Sequence, residues 1–140
     1  MNSLDVRCKQ QTNEDGETYY DVEFYIDGHP FLEMVREFES SFAKDLAGSY
    51  ANIYFRDYTE DFLLGRCPEY GARDDKTELL GCICGCRGCW PLAVRIRVEA
   101  QTAIWEDFEQ PHRTWNYAGF GPFTFDLAQY KSTIGKIPKA

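Results

Sequence analysis

Long apolar runs are missing from this chain: no stretch approaches the roughly 18 consecutive apolar residues that read as a membrane-crossing helix, so no membrane partner is expected. Its first residues, Met1-Asn2-Ser3-Leu4-Asp5, lack the basic and apolar regions of a secretion signal, which predicts a cytoplasmic location. A basic footprint is missing too. The formal net charge is −8, and a protein that neutralises phosphates needs clustered cations, so nucleic acid is not an expected partner. Histidine is scarce, with only His29 and His112. There is no Gly-x-Ser-x-Gly elbow, no phosphate-binding glycine loop and no His-Glu-x-x-His helix, which removes the commonest hydrolase, nucleotide and metalloprotease signatures.

What is present is enough to fold. The 140 residues suit one domain with a single core, and 44% hydrophobic with 16% aromatic residues is far from a disordered composition. Charge is uneven: residues 1–80 carry 18 acids and 8 bases, a balance of −10, whereas residues 81–140 carry 5 acids and 7 bases, a balance of +2. An acidic surface keeps a protein soluble first of all. It also suits a basic protein as partner, or a second copy of the chain in a homo-oligomer.

Residues 3–9 alternate, with Leu4, Val6 and Cys8 on one side, as in a strand with one wet face that turns Cys8 into the core. After the polar turn Thr12 to Gly16 the alternation returns as Tyr20, Val22, Phe24 and Ile26, predicting an antiparallel hairpin over residues 3–27. Pro30 suits the first turn of a helix near 31–40 carrying Phe31, Met34, Val35 and Phe38. The following forty residues lack a clean period. They are expected to hold a short helical piece around 57–64 and otherwise loop.

From Glu78 onward Leu79 to Cys84, Pro91 to Ala100 and Thr102 to Glu109 read as a three-stranded meander over residues 78–109. Asp126 with Gln129 three residues on forms an Asp variant of the capping box. Phe125 and Tyr130 supply the hydrophobic staple and Gly135 the stop, predicting a helix over 127–134. The fold class is therefore α+β, an antiparallel sheet made of a hairpin plus a meander and packed with two main helices.

Six cysteines stand in a compartment that keeps thiols reduced, which favours metal, redox or packing roles over disulfides. Four of them, Cys82, Cys84, Cys86 and Cys89, fall within eight residues at a glycine-rich hairpin tip and are the candidate metal ligands. Tetrahedral zinc ordinarily draws on two well-separated arms, so a more distant fourth ligand, Cys67, His112 or His29, competes with an all-local set. A redox thiolate usually sits at a helix N-terminus, whereas here Trp90-Pro91 leads into a strand. Packing of small thiols under the turn ranks first, metal second and redox third. No cofactor is expected, with zinc as the alternative.

The segment from Leu80-Gly81-Cys82-Ile83-Cys84-Gly85 to Gly88-Cys89-Trp90-Pro91-Leu92 resembles a signature of small bacterial proteins with no assigned activity. The likeness extends through Asp27-Gly28-His29-Pro30-Phe31, Trp105-Glu106-Asp107-Phe108 and Gly121 to Asp126. It implies a single domain, no known function, and a position for Cys86 that need not be cysteine.

Two other groupings are candidates. His29 and His112 beside Glu106, Asp107 and Glu109 supply the ingredients of a general base and its orienting acid. Trp115, Tyr117, Phe120, Phe123 and Phe125 form an aromatic run, either core or the lining of a ligand pocket or interface. The functional expectation is a noncatalytic binding or interaction protein. The alternative is a cysteine-dependent redox or metal-binding protein using the Cys82–Cys89 turn.

Overall fold

The computed structural model describes residues 1–55, 59–66, 76–84 and 89–138. Among them the elements run β1 (Leu4–Thr12), β2 (Thr18–Ile26), β3 (His29–Pro30), α1 (Phe31–Glu39), β4 (Ala51–Phe55), α2 (Thr59–Leu63), β5 (Thr77–Gly81), β6 (Leu92–Val98), β7 (Thr102–Glu109), β8 (Phe123–Asp126) and α3 (Leu127–Ile134). The strands form one antiparallel sheet in the order β1-β2-β4-β5-β6-β7-β8, with the two-residue β3 against β2. This is an α+β fold.

The hairpin and the meander are both present, and β4 joins them. Its Ile53 to Phe55 end pairs with Val22 to Tyr20 of β2, while Ala51 and Asn52 pair with Gly81 and Leu80 of β5. The expectation of loop outside the helical piece is corrected here, because Ala51-Asn52-Ile53-Tyr54-Phe55 is too short to show more than one alternation. The short helix is real, at Thr59–Leu63. A second unexpected strand, β8, pairs with β7 from Thr102↔Asp126 to Trp105↔Phe123 and extends the meander by one.

The two ends of the sheet meet. The amide of Asn2 donates to the Thr124 carbonyl at 2.7 Å, and the Thr124 amide donates to Oδ1 of Asn2 at 2.9 Å. The sheet thus curls until the residues before β1 touch β8, which covers part of an otherwise open edge.

Beyond its first residues β1 stays at the rim. Leu4 is buried, but Cys8 is exposed, so the expectation of a core Cys8 is corrected. Helix α3 ties down only the Leu4 end, through Gln129 and Thr133 hydrogen bonds to the Leu4 carbonyl at 2.7 and 3.2 Å. Alternation assigns a face, but it cannot say how far along that face the cover extends.

The core is centred on Trp105, whose ring meets Phe24, Phe31, Phe125 and Tyr130 edge-on at 5.1–6.3 Å between centroids, a favoured aromatic geometry. Its indole N–H donates to the Tyr130 hydroxyl at 3.1 Å, and that hydroxyl donates to the Leu63 carbonyl. The polar tips of Trp105 and Tyr130 are therefore satisfied. Pro30 stands at the N-cap of α1 rather than inside its first turn. The α3 cap is as expected, with Asp126 Oδ2 accepting from the Gln129 amide at 3.0 Å. The return half of the capping box is not formed, because the Gln129 side chain is spent on Leu4 and Thr133.

Candidate functional site

Strand β5 ends at Gly81 and β6 begins at Leu92, so Cys82, Cys84 and Cys89 lie in the connection rather than on a strand running to Cys84. The chain turns at Ile83 and Cys84 and brings three sulfurs together, all within 4.8 Å of one another. Cys82 is half-buried, while Cys84 and Cys89 are exposed, and none of the three is in a disulfide. The expectation that the thiols pack under the turn is therefore corrected for Cys84 and Cys89. Ile83, 75% exposed, does not cover them either.

Hydrogen bonding with Cys84 and then Cys82, followed by the charge these neighbours carry when ionised, pushes the Cys89 thiol up to about 12. Three crowded sulfurs resist becoming thiolates together, and a cation among them reverses that. A reactive redox cysteine has a lowered value, the opposite of what Cys89 shows. Cys8, raised by desolvation, is not an activated thiol either.

Of the ligands considered at a distance, Cys67 lies outside the described residues, as does Cys86. Among the described residues no histidine or carboxylate joins the three sulfurs. His112 stacks on Trp90, the ring following Cys89, at 6.3 Å and 13°, and His29 is exposed on β3. The carboxylates weighed beside the histidines have cationic partners: Glu109 with Lys76 at 3.1 Å, Glu106 with Arg97 at 3.2 Å, and Asp107 with Arg95.

The aromatic run divides. Phe123, Phe125 and Tyr117 are buried; Tyr117 also lines, with the half-buried Trp115 and Phe120, an open cleft of about 670 Å³ together with Lys76, Arg95, Glu106, Asp107 and Phe108. Beside the cleft, β7 carries Asp107 at φ +53°, a left-handed conformation uncommon outside glycine, where the β6–β7 register shifts. Lys76 and Arg95 are each ion-paired, so the lining offers no bare charge to a strongly anionic ligand.

A buried carboxylate behind the cleft was not anticipated. Glu39 is fully buried; its Oε1 accepts from the Gly48 amide at 2.9 Å and its Oε2 from the hydroxyls of Tyr50, at 2.7 Å, and Tyr117. Gln110, also buried, donates to Pro91 O at 3.0 Å. Gly48 delivers its amide at φ +66°, and a Cβ there would lie 2.5 Å from Cβ of Arg36, so glycine is needed. Burial is the largest cause raising both tyrosines well above their ordinary value. The available signal was position: Glu39 stands four residues after Val35 and eight after Phe31, on the buried stripe of α1.

No family model matches the chain, and no curated protein or solved structure matches it.

Proposed function

We propose that this chain is a small noncatalytic binding protein of the cytoplasm whose Cys82–Cys89 turn captures a thiophilic metal ion through Cys82, Cys84 and Cys89. The observation that carries the reading is the convergence of three sulfurs within 4.8 Å in an exposed turn. A zinc–sulfur bond of about 2.3 Å separates neighbouring sulfurs in a tetrahedral site by roughly 3.8 Å, a distance that small side-chain rotations reach from here. Soft thiolate donors suit zinc and softer ions and do not suit magnesium or calcium. Solvent access lets an ion enter.

Elemental analysis of protein purified under reducing conditions without chelator tests this. The expected result is about one thiophilic metal ion per chain, or uptake of one added Zn(II), lost when Cys82 or Cys89 becomes serine. Protein that neither carries nor takes up such an ion would count against the reading.

A further inference from the structure

We infer that the turn between β5 and β6 is a three-sulfur site for a thiophilic ion that bonds three sulfurs and no more, trivalent arsenic being the type; this rests on the metal-binding reading of the same turn. The donors are of one kind. Cys82, Cys84 and Cys89 converge, and among the described residues neither a histidine nor a carboxylate accompanies them. Ions that need oxygen or nitrogen donors find none in this set. Structural zinc is almost always four-coordinate, and the donors among the described residues fill three of its positions.

Trivalent arsenic needs only three. Arsenite condenses with three thiols, As(OH)₃ + 3 RSH → As(SR)₃ + 3 H₂O. Three As–O and three S–H bonds break, and three As–S and three O–H bonds form, with no change of oxidation state and no net charge. The lone pair on arsenic occupies the side away from the sulfurs, so the ion needs protein on one side only. An exposed turn meets that requirement: Cys84 and Cys89 are exposed, and the neighbouring Ile83 is 75% exposed. The spacing contributes as well. Cys82 and Cys84 flank the bend at Ile83, while Cys89 reaches them from the far side of the connection, so the sulfurs form a triangle rather than a line.

The test titrates arsenite into the full-length reduced protein, followed by ultraviolet As–S absorption and intact mass, alongside Zn(II) and four serine variants. One arsenic per chain is expected, with C86S within about twofold of the parent and each of C82S, C84S and C89S weakened at least thirtyfold. Far-UV circular dichroism confirms that the variants are folded. If C86S loses arsenite as strongly as C89S, the three-sulfur assignment is overturned. If Zn(II) binds through these cysteines and arsenite does not, the inference fails while the metal-binding reading stands. If neither binds, both fail.

Discussion

At the scale of single residues, Glu39 is the most consequential side chain outside the thiols. A buried carboxylate holding three donors is costly to remove, because each donor then loses its partner in a place water does not reach. Glu39→Ala is expected to destabilise the fold by about 1–3 kcal/mol for each buried donor left without an acceptor, whereas Tyr50→Phe, which removes one donor and leaves Glu39 two, costs about 1–2 kcal/mol. Urea unfolding of the three proteins measures both. Equal stabilities for E39A and the parent would show that the carboxylate is solvated in solution. The same residue shows what local reading misses. The helix containing it was legible from Phe31, Val35 and Phe38, but the stripe was followed through apolar residues only, and a glutamate on it reads as surface until its partners, 9 to 78 positions away, are known.

At the scale of elements, α3 was the best specified, and its cap is one hydrogen bond. Asp126→Ala removes the acceptor for the Gln129 amide and is expected to cost about 1 kcal/mol. Gln129→Ala should cost at least as much, because that side chain bridges α3 to the Leu4 backbone at both its carbonyl and its amide. Thermal unfolding compares the two; a Q129A protein as stable as the parent would mean that the bridge contributes nothing. The strands followed legibility by length. β1, β2, β6 and β7, of seven to nine residues, display alternation, whereas β4 and β8, of five and four, hold too few positions to separate period two from chance, and β5, also of five, was legible only as part of the run from Leu79 to Cys84. β8 was hidden further by its own aromatics, since Phe123 and Phe125 continue a run whose other members line the cleft. In the cysteine turn, composition singled out Cys82, Cys84 and Cys89, whose sulfurs the fold brings together. What it did not supply was exposure, because a glycine-rich loop can fold its thiols inward or outward with the same sequence.

At the scale of the whole molecule, three buried tyrosines make stability depend on alkaline pH. Tyr50, Tyr117 and Tyr130 are all raised above the ordinary value near 10, burial being the largest cause at each. They sit in two places that hold the molecule together: the Glu39 network joins α1 to the loops carrying Tyr50 and Tyr117, and Tyr130 joins α3 to Trp105 and to Leu63 at the end of α2. Below pH 10 each tyrosine is protonated in both folded and unfolded chains and adds no pH dependence. As pH rises past 10 the unfolded chain releases these protons while the folded chain keeps them, so unfolding is favoured and stability falls progressively toward the folded-state values. Cys8 and Cys89, also raised, contribute the same sign from nearer pH 9, so the comparison belongs in a C8S/C89S background. Urea midpoints of that variant should be level between pH 7 and 9 and fall between pH 10 and 11.5. Adding Tyr50→Phe and Tyr117→Phe should flatten the fall even as it lowers the midpoint at pH 7. A fall of unchanged steepness would show that the two hydroxyls ionise as freely in the folded protein as in water, and that the Glu39 network is open to solvent.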